Sequence, residues 1–310
     1  MIPWVTVWGY GAEIKSTRDS LIVRQKGSMT QYPLDDMRHL LIAGGHSLHT
    51  SVLERLADRG IAVSFFTAHG KPVGGIYGKS APSLAAQQRD IPVHKFAMAS
   101  IRSSLDERLR YINELAEFDP EGLYFKGEFD ILTAAREELE YLITLPEIGR
   151  AFSLTKTMYY EIIGRKLPKV LGYRRRCQPP FMDPVNVMMS HGYAVLYANF
   201  ALACTGAGLD LSRGALYGEI VPAPGGRGGC VLDLMEPATV SMVDRVIIQM
   251  AAEGRLDGAY EVTTRCLLSN ELKEEFMKRL HGSINTALIA ENVNRYADSV
   301  KDGRDIVFHY

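Results

Sequence analysis

Apolar positions follow two different rhythms along this chain. Over roughly the first 78 residues they alternate or come in short runs. Val5 and Val7 alternate with Trp4, Thr6 and Trp8, and Leu21, Ile22 and Val23 follow a Ser-Thr-Arg-Asp-Ser turn. Residues 61–66 form a dense β-branched and aromatic run. Such segments, bounded by turn residues, predict strands. One helix interrupts them over residues 52–58, where Ser51 and Glu54 have capping-box spacing and Gly60 stands at the C-terminal glycine position. Gly70, Gly74, Gly75 and Gly78 mark turns and a hairpin-like return. From about Val93 the period becomes helical. Leu105, Leu109, Ile112 and Leu115 recur at i, i+4, i+7 and i+10, and Leu132, Leu139 and Leu142 form a second stripe. Further helices are predicted near 148–163, 185–204, 242–252 and 272–296. The fold class is therefore α+β. A small β-rich N-terminal domain (1–80) leads through a linker (81–92) into a larger, mainly α-helical domain (93–310).

Composition narrows this picture. The 310 residues are 46% hydrophobic and 23% charged, enough for a sizeable core. A net charge of −1 counts mildly against a nucleic-acid binder, which is often basic overall, but leaves room for local basic patches. Cys177, Cys204, Cys230 and Cys266 fit no zinc spacing, and the N-terminus lacks a signal-peptide pattern, so a cytoplasmic protein with free thiols is expected. Residues 184–209 contain no Asp, Glu, Lys or Arg and are long enough to span a bilayer. Asn186, His191, Asn199 and several glycines interrupt them, which favours a buried core helix and no membrane.

The stretch 214–244 holds the densest candidate chemistry. Asp233 and Glu236 follow the apolar run Cys230 to Leu232, just after Gly225-Gly-Arg-Gly-Gly229. Carboxylates brought close to a core repel each other unless a cation or protons relieve them. The competing reading is a helix start, where acids complement the dipole and Pro237 fits the first turn. Glu147, between two helical runs, is a third candidate acid, against an ordinary capping or exposed role. Lys166, Lys169, Arg174, Arg175 and Arg176 form a basic cluster, either a solvated face or a phosphate-contacting track on which Tyr173 could stack a base. The Gly-rich loop lacks the Lys-Ser/Thr of a P-loop, although its Arg227 could reach a phosphate. Gly206-Ala-Gly208 reads as a helix end rather than a dinucleotide fingerprint, and His191 as a satisfied buried histidine. No Gly-x-Ser-x-Gly elbow and no His-x-x-x-His zinc pattern occurs.

In order along the chain, several pieces resemble one family, the CRISPR-associated integrase-endonuclease of spacer acquisition, Cas protein one. Pro33-Leu-Asp-Asp-Met-Arg-His-Leu40, then Gly60-Ile-Ala-Val-Ser-Phe-Phe66 and Gly70, resemble its β-domain. Arg174 to Asn186 resembles its basic segment followed by Pro-x-Asn, and Gly192-Tyr-Ala-Val-Leu-Tyr197 its Gly-Tyr helix. Gly208-Leu-Asp-Leu-Ser-Arg-Gly-Ala-Leu216 resembles its Gly-Leu-Asp turn. Leu232-Asp-Leu-Met-Glu236 resembles its Asp-Leu-Met-Glu motif, and Leu267-Leu-Ser269 a later element.

The resemblance implies a divalent-metal-dependent DNA endonuclease and integrase that inserts spacers by transesterification. Glu147, Asp233 and Glu236 would hold manganese or magnesium, and Lys166, Lys169, Arg174, Arg175, Arg176 and Arg227 would hold DNA, branched or duplex. It also implies a homodimer paired through the β-rich domain and bridged by Cas protein two. Two departures fall in the site. Tyr217 stands where the family has a His ligand, and Pro237, Ala238 and Thr239 follow the acidic motif where an Arg is usual. A phenol is a poor substitute for imidazole at neutral pH. An impaired member that dimerises and holds DNA is therefore the second reading. A metal-dependent enzyme acting on small molecules, unrelated to this family, is the third.

Overall fold

A computed structural model of the chain describes residues 3–77, 83–118, 123–308 and 310. The expected domain boundary at residue 80, the turn at Gly78 and the first linker residues, 81 and 82, lie outside the described residues.

The N-terminal part is a six-stranded mixed sheet in the order β3-β2-β1-β4-β5-β6. Its strands are β1 (Trp4–Ser16), β2 (Ser20–Gln25), β3 (Ser28–Pro33), β4 (His39–Leu48), β5 (Ala62–Phe66) and β6 (Pro72–Ile76). The long β1 pairs in parallel with β4, and β4 with β5; the other pairs are antiparallel. The helix α1 (Thr50–Asp58) supplies the crossover between the parallel strands β4 and β5.

Side-chain alternation sorts the sheet into two faces. Val5, Val7, Leu40, Ile42 and Val63 pack with Val52 and Leu56 of α1 into a small core. Trp4, Leu41, Ala43 and Phe66 point the other way and join the large core of the helical part. Both faces are thus covered, as parallel strands require. Residues 83–92 are anchored at two buried positions: Leu84 donates its N–H to the Gly208 carbonyl, and the Gln88 side chain accepts from the Asp210 N–H at 2.6 Å.

The helical part contains α2 (Val93–Phe118), α3 (Lys126–Glu138), α4 (Leu145–Gly164), α5 (Pro184–Gly206), α6 (Gly229–Met235), α7 (Arg245–Ala252), α8 (Asn270–Ser283) and α9 (Thr286–Asp302). A short ribbon, β7 (Tyr260–Val262) with β8 (Cys266–Leu268), precedes α8. Two expectations change. The pattern over 272–296 is not one helix but two, because the Asn285 side chain caps a new start by accepting from the Leu288 N–H at 3.0 Å. Pro237, which lacks an N–H, separates α6 from a π-helical turn, Val240–Asp244, instead of opening a helix. The uncharged segment becomes α5, long and apolar enough to cross a membrane but mostly buried. It runs through the large core, with Asp183 capping its start by accepting from the Asn186 N–H at 2.7 Å. His191 on α5 packs its ring on Trp8 of β1, with centroids 3.6 Å apart, and burial pulls its pKa down to about 3.

Candidate functional site

The site is built where α6 enters the core behind the Gly-rich loop. That loop is exposed over residues 225–227 and packed at its end, Gly228 and Gly229. A Cβ on Gly229 would lie 2.2 Å from the Tyr217 carbonyl oxygen and 2.8 Å from the Gly214 nitrogen, so only glycine lets the two backbones approach. Arg227 donates to the Val73 carbonyl of β6 and clamps the loop to the sheet. The guanidinium expected to reach DNA is therefore engaged internally.

The close approach sets the role of Asp233. Its Oδ2 accepts from the N–H groups of Ala215 and Leu216, and its Oδ1 from the Tyr217 N–H at 2.7 Å. The carboxyl is 1% exposed. Burial pushes its pKa up to about 7 in spite of these donors. Asp233 fastens the 215–217 turn to α6 and is not directed at a substrate or an ion.

Glu236, one turn further, lies among cations. Arg108 of α2, 1% exposed, donates to Oε1. Lys156 of α4 donates to Oε2 at 2.8 Å, and the Tyr217 hydroxyl donates to the same oxygen at 2.6 Å. Lys156 also donates to the Tyr217 oxygen at 2.8 Å, closing a triangle of ammonium, phenol and carboxylate. Phe152 walls the group, with Lys156 Nζ 5.2 Å and the Arg108 guanidinium 5.8 Å from its ring centre. Burial opposes ionisation of Glu236, but Lys156 and Arg108 outweigh it and hold the pKa at about 2. Burial raises the Tyr217 phenol well above its ordinary value, so it stays a neutral donor.

The expected centre of three carboxylates is not assembled. Glu147 lies in the first turn of α4 and accepts from the Thr144 N–H and hydroxyl at 3.1 and 2.7 Å. This capping box depresses its pKa. Nine residues separate Glu147 from Lys156 on α4, about 14 Å along a helix axis. The positions of α4 that face the centre are Phe152, Lys156, Tyr159 and Tyr160. Asp233 is consumed by backbone donors and Glu236 by cations. Among the described residues no group of three or more His, Cys, Asp or Glu could hold a metal ion. A divalent cation needs several free oxygen ligands, so these residues do not fit manganese or magnesium.

Three members of the centre were not expected: Arg108, Lys156 and Asp244. Arg108 and Lys156 carried a faint signal. Arg108 falls on the buried stripe of α2, three residues after Leu105 and four before Ile112, and Lys156 lies four after Phe152 on α4. Asp244, fully buried, accepts from the Tyr159 and Tyr193 hydroxyls at 2.9 and 2.6 Å, and burial pushes its pKa up to about 6.

The basic segment between α4 and α5 divides. Lys169, Arg174 and Arg175 are exposed, and Lys166 is half-buried. Arg176 turns inward, donating to the Asn186 side chain at 2.7 Å and to Ser190 Oγ at 2.6 Å. Tyr173 is buried against Gly164 and cannot stack a base. Beside the centre lies a cavity of about 250 Å³ whose wall includes Lys71, Lys156, Arg176, Tyr193, Tyr217 and Glu236.

Comparison with known proteins gives a consistent result. The profile of the family CRISPR associated protein Cas1 matches residues 5–281. A relative named Putative CRISPR-associated endonuclease Cas1 2, from Methanospirillum hungatei JF-1, is 34% identical over 298 residues, 94% of this chain and 96% of its own length. Two solved structures share the fold alone, each at 16% identity. A casposase bound to integration product superposes with a TM-score of 0.82 over 98% of this chain and 92% of that one. A chain of a Cas6-RT-Cas1–Cas2 complex gives 0.81 over 99% of this chain and 36% of that longer one.

Proposed function

The chain belongs to the CRISPR-associated protein Cas1 family, and on that premise we propose that it serves in CRISPR adaptation as a dimeric, DNA-holding subunit whose own centre performs no metal-dependent strand transfer. The observation that carries this reading is the occupation of both Glu236 oxygens by Arg108, Lys156 and Tyr217. Cation donors fill the place where oxygen ligands would be needed, and no step of phosphoryl transfer can be routed through them as a metal centre.

DNA holding is supported by the exposed Lys169, Arg174 and Arg175. Pairing through the sheet is supported by apolar side chains on its two edge strands, Met29 on β3 and Val73 and Ile76 on β6. A Cas2-type partner that bridges dimers is proposed from the assembly named for the structural neighbour.

The test is incubation with branched DNA and manganese. The expected outcome is bound, intact DNA from the unaltered protein. Tyr217→His should leave it intact as well, because Lys156 and Arg108 still hold Glu236. Cutting or joining by the unaltered protein, lost in Glu236→Gln, would establish a self-sufficient integrase instead.

A further inference from the structure

Lys156 stands where the centre opens to solvent. An ammonium carries three N–H donors. One meets the Tyr217 hydroxyl and one Glu236 Oε2. The side chain keeps 27% of its surface exposed and borders the cavity of about 250 Å³. Lys71, from the turn between β5 and β6, borders the same cavity from the sheet side, and no acid among the described residues forms an ion pair with it. Among the described residues Glu236 is the one carboxylate in the cavity wall, and it is already matched by Lys156 and by Arg108 behind it. The wall is therefore left with a surplus of positive charge, and one ammonium donor remains uncommitted.

We infer that this cavity binds a phosphate group directly, through Lys156 and Lys71, with no metal ion between them. A lysine grips phosphate as a point charge, and partial enclosure strengthens the attraction. Arg176, spent on Asn186 and Ser190, shapes the rim without being free to move. The inference rests on the proposed function only for the source of the phosphate, a DNA strand; the phosphate chemistry stands on the cavity itself.

Two measurements test it. The first is thermal unfolding of DNA-free protein with inorganic phosphate or with manganese. Phosphate should raise the melting temperature of the unaltered protein. The rise should vanish in Lys156→Gln and shrink in Lys71→Ala, a rim change that leaves the Glu236 pairings intact should Lys156→Gln fold poorly. Manganese should act equally on the unaltered protein and Glu236→Gln. The second is binding of fluorescent branched DNA in a chelator. Affinity should survive chelation, and Lys71→Ala should weaken it roughly tenfold, the loss of one charge-assisted contact. A phosphate effect unchanged in both lysine variants overturns the inference. So does a manganese-induced rise that Glu236→Gln abolishes, together with DNA binding lost to the chelator. If the phosphate effect depends on both lysines while DNA affinity does not, the cavity takes a small phosphate ester and the DNA source is wrong. If the unaltered protein binds no DNA at all, the proposed function fails and the phosphate arm still decides the cavity.

Discussion

Asp233, Glu236 and Asp244 are three buried acids within twelve residues, and each is relieved in a different way. Asp233 has backbone donors, Glu236 has two cations and a phenol, and Asp244 has two tyrosine hydroxyls and, among the described residues, no ion pair. The last arrangement has a pH signature. Burial raises Asp244 from 3.8 to about 6, so between these values the folded chain keeps a proton that the unfolded chain has released. Its contribution is full below about pH 4 and lost as pH rises through 6. Denaturation series should show the unaltered protein losing stability relative to Asp244→Asn over that window. An unchanged difference across the window would mean the carboxyl titrates as it does in the open chain. The sequence pattern marks Asp233 and Glu236 as neighbouring acids with one expected role, metal binding, whereas the structure gives them different partners. Their partners lie at Ala215–Tyr217, Lys156 and Arg108, as many as 128 residues away, where no local pattern reaches. For Glu147 the ordinary reading was legible: Thr144-x-x-Glu147 has capping-box spacing.

Among the elements, α6 bears the tightest constraint. Seven residues long, it is held by the approach of Gly229 to Gly214 and by the Asp233 anchor rather than by its own length. Gly229→Ala should force apart two backbones that have no flexible side chain to yield. A loss of about 3 kcal/mol or more is expected from such overpacking, read as a lowered denaturation midpoint. A midpoint within experimental error of the unaltered protein would show that the turn can shift freely. Most of the helices were legible as stripes, and α4 and α5 match their expected ranges closely. What failed were breaks set by single residues. Asn285 reads as one more polar position until its side chain is seen capping α9, and Pro237 signals a start or an interruption equally well.

Across the whole molecule, charge and architecture do separate work. A net charge of −1 hides an exposed basic segment. If Arg174 and Arg175 lie on the DNA track, replacing both by Ala should reduce the dependence of log affinity on log salt by roughly two, as loss of two phosphate contacts requires. Anisotropy titrations at several salt concentrations measure this, and an unaltered slope would place the track elsewhere. The alternation of β1 showed that its faces differ, but both were found buried, because the face carrying Trp4 is covered by helices far along the chain. That shared burial has a mechanical consequence. The sheet cannot tilt against the helices without exposing Trp4, Leu41 and Phe66, and Trp8 is braced on His191. The turn after β5, which supplies His69, Gly70 and Lys71 to the cavity, joins two strands of that sheet. If subunits pair through the sheet as proposed, a subunit docking at its outer edge would press on a sheet that is packed directly against the cavity rim.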